Sequence, residues 1–372
     1  MNNPIGKSVD AIDTPALVVD LDAMERNLNA MATFAKRHNI KLRPHAKMHK
    51  SAELAKLQMA AGAAGMCVQK TSEAEALAAG GVHHIYISNE VIAPAKLKRV
   101  VALARQLHAA GGQLAIAVDS LQGIANLADA ASGLPFGIDV FIELDVGQAR
   151  CGVQPGAAAV PLADAIAKHT QLRFAGLQAY HGRAQHLRTL DERRDAIASV
   201  IASVKSTIAA LAANGHTVPL VTGAGSGTFL QEAASGVYGE LQAGSYLFMD
   251  RDYASNEADP AQPVFEHALF VKSQVVSVCS THAVVDAGHK SHAIDSGLPL
   301  VHGLDLEYAN GGDEHGILRG VVLPQFGETV WLIPGHCDPT VNLHNVLVGV
   351  RGGLEKGVVE RIITVDARGA LT

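Results

Sequence analysis

The residues of this 372-residue chain best equipped for chemistry are amines, imidazoles and carboxylates gathered in a few short segments. In KLRPHAKMHKS (41–51), Arg43, His45 and Lys47 alternate, so a strand here would put all three on one face with Lys47 last. A lysine at a strand end, in low dielectric and beside a cationic neighbour such as His45, would have its pKa lowered towards a nucleophilic amine able to form a Schiff base. A solvated basic loop is the other reading of the same segment. Lys50 falls past the strand end, where HKSAELAKL turns to helix, and reads as solvated or as a structural contact. VTGAGSGT (221–228) is a glycine-rich turn whose backbone N–H groups could approach a phosphate, although such turns are common. Lys47 and that turn together suggest pyridoxal phosphate. IPGHCDPTVNLHN (333–345) sets His336 and Asp338 two apart between Pro334 and Pro339, with Cys337 pointing away. An imidazole and a hard carboxylate at that spacing suit Mn, Mg, Co or Zn, and Asp-Pro turn chemistry accounts for the same residues without a metal.

These groups need elements to position them. Short β-type runs alternate with Ala/Leu-rich helical stretches through the first two thirds of the chain. The runs are KLRPHAK (41–47), GMCVQ (65–69), HIYISNE (84–90), LAIAVDS (114–120), DVFIELDVG (139–147), RFAGLQAYHG (173–182), VPLVTGAG (218–225) and ELQAGSY (240–246). Between them lie helix-period segments such as TSEAEALAAGG and DERRDAIASVIASVKSTIAALAANG, most ending at glycine. The pattern predicts an α/β fold, a (β/α)8 barrel over 22–250. After it, HALFVKSQVVSV, HAVVDAGH, GVVLP, TVWLIP and VLVGVRGG read as short strands, which predicts a C-terminal β-rich domain over 251–372, and the early strand of 14–21 is free to join either. Barrel chemistry gathers at the C-terminal strand ends. The polar residues there are His45, Lys47, Gln69, Lys70, Asn89, Glu90, Asp119, Asp145, Arg150, Tyr180, His181, His186, Thr222, Gln242, Ser245 and Tyr246.

Composition narrows the partners. The net charge of −6 and the scatter of basic residues give no footprint for nucleic acid. Cys67, Cys151, Cys279 and Cys337 share no CxxC spacing, MNNPIGKSVDAID has no apolar stretch for export, and no apolar run reaches membrane-span length. The expectation is a reduced cytoplasmic protein with a small-molecule substrate, no membrane and no nucleic acid. Its 18 histidines outnumber its 16 Phe, Tyr and Trp, which makes proton or metal chemistry worth seeking.

At this point several motifs agree in order. RPHAKMHKS, VQKTSEAEALAAGG, ISNEVIAPAKL, DVGQARCGV, GLQAYHG followed by QH, ELQAGSYLFMD, DEHG and GHCDPTVNLH resemble the D-threonine aldolase family, which belongs with alanine racemase-type pyridoxal phosphate enzymes and is similar to D-serine dehydratases. The resemblance runs from about Asp13 to Arg368. It implies a barrel carrying pyridoxal 5'-phosphate, a C-terminal β-domain, a homodimer, and a divalent metal, manganese first, with Mg, Co or Zn as alternatives. Carried over by position, Lys47 is the Schiff-base lysine, His186 the base for the substrate hydroxyl, and His336 and Asp338 the metal ligands. Gln69, Arg150 and Tyr180 would contact the cofactor, and Thr222, Gly223, Gly225 and Tyr246 would surround its phosphate. Asp313 of DEHG would sit near the metal.

Two departures matter. The chain has Ala224 and Ser226 where relatives often have glycine, and Arg183 where they often carry a small residue. Arg183 beside His186 either grips a second substrate carboxylate or lies on the surface. The expected activity is metal-activated cleavage of D-3-hydroxy-amino acids to glycine and an aldehyde. The alternatives are a 3-hydroxy-D-aspartate aldolase yielding glycine and glyoxylate, a dehydratase of D-serine or D-threo-3-hydroxyaspartate, a racemase, or a protein that holds pyridoxal phosphate without turnover.

Overall fold

The computed structural model describes residues 4–372 and divides the strands between two sheets. Strand β1 (Ala16–Asp20) runs into helix α1 (Leu21–Arg37), which Asp20 caps by accepting the N–H groups of Asp22 and Ala23. Eight parallel strands follow: β2 (Lys41–Leu42), β3 (Met66–Val68), β4 (His84–Glu90), β5 (Gln113–Val118), β6 (Ile138–Glu143), β7 (Leu172–Ala179), β8 (Val221–Gly223) and β9 (Glu240–Leu241). Helices α2 (Ala52–Ala60), α3 (Thr71–Ala79), α4 (Pro94–Ala109), α5 (Leu121–Ala130), α6 (Val160–Ala167), α7 (Leu190–Ala213) and α8 (Phe229–Ala234) alternate with them. The ladder runs β2-β9-β8-β7-β6-β5-β4-β3. A single bridge, His45 to Cys67, joins its two ends and closes the curled sheet. This is the (β/α)8 architecture expected from the alternating pattern.

The first and last barrel strands are shorter than the sequence runs. After Leu42 the chain meets Pro44, which has no N–H for a ladder, and Lys47 rides on a 3-10 turn (Ala46–Met48) rather than on a strand. Its presentation at the mouth therefore owes nothing to two-residue alternation. The last strand likewise gives way to a 3-10 turn at Ser245–Leu247.

By length and composition α7 passes for a membrane span, an 18-residue window averaging a hydropathy of 1.7, a feature that a search for unbroken apolar runs overlooks. Its stripe of Ile197, Val200, Val204 and Leu211 is buried against the barrel and its neighbouring helices.

The second sheet is mostly antiparallel. It comprises β10 (Leu269–Val278), β11 (Ala283–Val285), β12 (Leu300–Val301), β13 (Glu307–Asn310), β14 (Gly316–Arg319), β15 (Thr329–Ile333), β16 (Val346–Arg351) and β17 (Val358–Thr364). Strand β1 lies inside it, antiparallel to β10 with Ala16 opposite Lys272 and parallel to β16 with Val18 opposite Val348. Its alternation is used on both faces: Leu17 and Val19 join the main core, while Val18 packs with Val348, Val350 and Val359. GVVLP is no strand; it is a loop with Val321 and Val322 98% and 81% exposed. Two short helices, α9 (Arg251–Ala254) and α10 (Cys337–Val341), flank the junction between the sheets.

Candidate active site

At the C-terminal ends of the barrel strands the loops surround an open cavity of about 360 Å³. Lys47 enters it from its turn, with 41% of its side chain exposed and Nζ 3.0 Å from Asp338 Oδ2. That carboxylate is the main reason the amine's pKa is raised, against the opposite pull of burial. The sequence reading expected the reverse. Its supposed cationic neighbour, His45, is pushed by burial well below the ordinary imidazole range and so is neutral. His45 acts as a strut: Nδ1 accepts the Lys47 N–H at 3.3 Å, and Nε2 lies 2.9 Å from Gln69 Nε2.

Gln69, Arg150 and Tyr180 also line the cavity. Arg150 is half exposed and 3.8 Å from the buried Glu143, whose carboxyl is pushed up to about 9 by burial and by the neighbouring Glu90. Burial also raises the Tyr180 phenol, which keeps it protonated. Glu90, Asp119 and Cys151 bring donor atoms within 4.8 Å of one another at adjoining strand ends, a grouping not foreseen from sequence.

His186 ends the 3-10 turn Arg183–His186. Its Nδ1 lies 2.5 Å from Asp252 Oδ2, and Nε2 has no hydrogen-bond partner among the described residues. Asp252 is 5% exposed and is held a second time by Arg188, through both its carboxylate and its backbone carbonyl. Burial would raise that carboxyl, but His186 and Arg188 outweigh it and hold it below the usual range. Arg183, on the same turn, lines the cavity and is exposed; it has no ion-pair or hydrogen-bond partner among the described residues.

Opposite, the turn after β8 meets the turn after β9. Among the described residues the backbone N–H groups of Gly225, Ser226, Gly244 and Ser245 find no acceptor, and all four residues line the cavity. A Cβ on Gly244 would lie 2.6 Å from the His45 carbonyl, so only glycine lets the turn after β9 pack this close to the turn that carries Lys47. Ala224 takes the left-handed φ of +71° that glycine favours. The cluster of unpaired N–H groups fits a phosphate. Its members differ from those expected. Of the predicted set only Gly225 reaches the cavity: Thr222 is buried in bonds to Glu240 and Gln242, Gly223 packs on the Ala179 carbonyl, and the Tyr246 hydroxyl accepts from Gln58.

Asp338 stands between the barrel and the second sheet. Its Oδ1 is buried with no hydrogen-bond partner, and His336 Nε2 is 3.8 Å away. His336 Nδ1 lies 2.7 Å from Asp295 Oδ2, which turns Nε2 towards Asp338. An orphaned carboxylate oxygen beside an oriented imidazole fits a divalent cation. Burial lowers the His336 pKa, but Asp338 and Asp295 outweigh it and raise it. Asp313 is not brought to this pair: it is 59% exposed, 2.9 Å from His289 and 3.4 Å from Lys290 on the turn between β13 and β14.

No local pattern in the sequence marks Asp252 or Asp295. Each lies tens of residues from the histidine it serves, Asp252 just past the end of ELQAGSYLFMD and Asp295 outside every motif named above.

Residues 19–252 match the family described as alanine racemase, N-terminal domain, and residues 268–350 match a putative serine dehydratase domain. The chain is 42% identical over 374 residues to a 3-hydroxy-D-aspartate aldolase of Paracoccus denitrificans, covering 98% of this chain and 94% of that one. It is 43% identical over 369 residues to a D-threonine aldolase of an Arthrobacter species, covering 98% and 95%. Among solved structures, a D-threonine aldolase from Filomicrobium marinum superposes with a TM-score of 0.95 at 44% identity over 100% of both chains. A D-threo-3-hydroxyaspartate dehydratase from a Delftia species superposes with 0.83 at 27% identity, over 96% and 98%.

Proposed function

The chain belongs to the D-threonine aldolase family of alanine racemase-type proteins, and on that premise we propose that it is a metal-activated, pyridoxal phosphate-dependent carbon–carbon lyase splitting D-3-hydroxy-amino acids into glycine and an aldehyde. The observation that carries the reading is a cavity lined by Lys47 and by an imidazole with a fixed tautomer, with Lys47 in turn 3.0 Å from the carboxylate of an imidazole–carboxylate pair whose other oxygen is unpartnered.

Lys47 and the N–H groups of Gly225, Ser226, Gly244 and Ser245 would hold the cofactor, with Arg150 and Tyr180 beside it. His336 and Asp338 would hold the metal. When bound, pyridoxal phosphate supplies a sink for the electron pair released as Cα–Cβ breaks, and the metal a Lewis acid for the β-hydroxyl. The protein's own part is proton management. Asp252 takes the Nδ1–H of His186, so the lone pair stays on Nε2, facing the cavity where the hydroxyl proton must be removed. Arg188 keeps Asp252 charged and fixed, so the imidazolium formed is stabilised where it stands. Asp295 does the corresponding work for His336 by holding Nδ1 and leaving Nε2 to the cation.

A second substrate reading is favoured by Arg183. An unpartnered guanidinium on the cavity wall, one turn from His186, suits a distal carboxylate, and so a 3-hydroxy-D-aspartate rather than D-threonine. A charge-assisted hydrogen bond of roughly 1.5–3 kcal/mol corresponds to about one to two powers of ten in kcat/KM. Arg183→Ala should depress cleavage of hydroxyaspartate by that factor and leave D-threonine nearly unchanged; equal effects on both would remove the acidic preference.

The main reading is tested by incubating the protein, with pyridoxal phosphate and manganese, with D-threonine, 3-hydroxy-D-aspartate and D-serine. Glycine with an aldehyde supports it. Keto acid with ammonia would establish a dehydratase, inversion without cleavage a racemase, and no product a cofactor-holding protein. A homodimer in the cytoplasm, without nucleic-acid or membrane partners, completes the proposal, and sedimentation of the purified protein checks the dimer.

A further inference from the structure

Lys50, three residues beyond Lys47, is neither solvated nor idle. It is 7% exposed, its backbone takes the left-handed φ of +52°, and its Nζ lies 2.7 Å from Glu73 Oε1, with the two side chains 8% and 5% exposed. That conformation favours glycine. A lysine there means that the side chain is what the position supplies.

The pair closes a ring around Lys47. Glu73 Oε2 accepts the N–H groups of Gln69 at 2.9 Å and Lys70 at 3.1 Å, fixing the turn after β3. Gln69 reaches His45 at 2.9 Å, and His45 accepts the Lys47 N–H at 3.3 Å. The Lys50 N–H returns to the Ala46 carbonyl at 2.7 Å, completing the turn that carries Lys47. The same corner is tied to the segment that follows β17. The Lys50 carbonyl accepts the Ala367 N–H at 3.0 Å, Nζ donates to the Ala367 carbonyl at 3.4 Å, and Ala52 N–H donates to Asp366 Oδ2 at 2.7 Å. Asp338, on the same C-terminal part of the chain, is the residue that meets Lys47.

We propose that Lys50 and Glu73 are positioning residues for Lys47: their buried ion pair locks its turn to the neighbouring strand end and to the segment after β17, and so sets where the amine stands between the cavity and Asp338. The inference rests on Lys47 as the cofactor-bearing amine for its consequence, but not for its geometry. A buried pair can act as a lock because separating it strands two charges in low dielectric.

The test removes both charges together, as Lys50→Met with Glu73→Gln, so that no single buried charge is left uncompensated. Glu73→Asp, which keeps the charge and shortens its reach, serves as a milder variant if the double variant fails to fold. Two quantities are read: deuterium exchange of the amides over residues 46–50, and the rate at which cofactor-free protein captures added pyridoxal phosphate, followed by absorbance. The lock predicts faster exchange at 46–50 with the rest of the barrel unchanged, and capture slowed about tenfold in the double variant through lost alignment. Glu73→Asp should lie between it and the unmodified protein, and Lys50→Arg, which keeps the pair, should be close to unmodified. Unchanged exchange and capture in folded variants would overturn the proposal. Lys47→Ala separates the two readings. If it still captures the cofactor, the assignment of Lys47 fails, and the exchange result alone decides whether the lock exists.

Discussion

Two histidine–aspartate pairs stand at the site, one on the cavity wall and one behind Asp338, and they are built differently. His186 leans on Asp252, which is 5% exposed and gripped again by Arg188; His336 leans on Asp295, which is 51% exposed and reaches its imidazole and Ser296. Beyond the carboxylate, His186 offers an Nε2 with no partner, while His336 offers one that faces the buried, unpartnered Oδ1 of Asp338. A group that must accept and release a proton in each turnover needs its tautomer fixed throughout, hence a buried and doubly held carboxylate. A group that coordinates a cation is oriented largely by the cation itself, so a solvated carboxylate suffices behind it. Under the proposed roles, the same two residue types would serve proton transfer at one place and cation binding at the other.

The comparison breaks most visibly at the imidazoles. Metal polarisation of a hydroxyl is worth several kcal/mol, so His336→Ala or Asp338→Ala should lower kcat by roughly 10³-fold and abolish the response to added manganese, while the cofactor's absorbance is retained. His186→Asn should lower kcat by about 10²–10⁴-fold with the half-saturating manganese concentration unchanged. A His186 variant that loses metal dependence would erase the distinction. The carboxylates should separate next. Asp252→Asn should cost between ~10- and ~100-fold in kcat without touching metal affinity. Asp295→Asn, at an exposed position, should weaken manganese binding by no more than about tenfold and leave the metal-saturated kcat near normal; titration calorimetry and steady-state rates read the two effects.

The smallest effect is on stability. The Asp252 carboxyl is held below its ordinary value of 3.8 by His186 and Arg188, so the folded state favours the anion. Its contribution is complete above that ordinary value and is lost as pH falls through the lower folded one. Denaturant unfolding should show Asp252→Asn less stable than the unmodified protein by ~1–3 kcal/mol near neutral pH, with the gap narrowing in strong acid. A gap independent of pH would mean that the carboxylate's charge is not what Arg188 and His186 use.

The sequence announced residue types more readily than the geometry that employs them. Lys47, His186, His336 and Asp338 stand in segments dense with reactive groups, and the alternation of strands and helices revealed the barrel that carries the first two. What stayed hidden depends on contacts made across the fold. Asp252 and Asp295 act through partners remote in sequence, and nothing local marks them. The phosphate-type turn was legible as glycine-rich, yet its free N–H groups include Ser226, Gly244 and Ser245, because which amides remain unpaired follows from how two loops meet. Tyr246 and Thr222 looked available as strand-end polar residues, but both are spent on internal hydrogen bonds. The Lys47 pKa went the wrong way in the sequence reading because a carboxylate 3.0 Å away, contributed by the distant GHCDP segment, outweighs any effect of its chain neighbours. Lys50 looked like a solvent-facing cation, and only burial beside Glu73 shows otherwise.

Strand β1 leaves the chain with a timing problem. It is made before the barrel, yet its partners β10 and β16 lie beyond the whole barrel in sequence. Until they emerge, Leu17, Val18 and Val19 form an unpaired apolar edge of the kind that recruits other chains. The barrel can collapse early from short-range βα units, but the second sheet must wait for a long loop to close, the slow class of folding event. The Lys47–Asp338 contact belongs to that last step, so Lys47 meets its carboxylate only once the C-terminal part of the chain is in place. A chain cut after the barrel should accordingly accumulate as a sticky intermediate needing chaperone cover, and cleavage activity should appear during refolding later than barrel helicity.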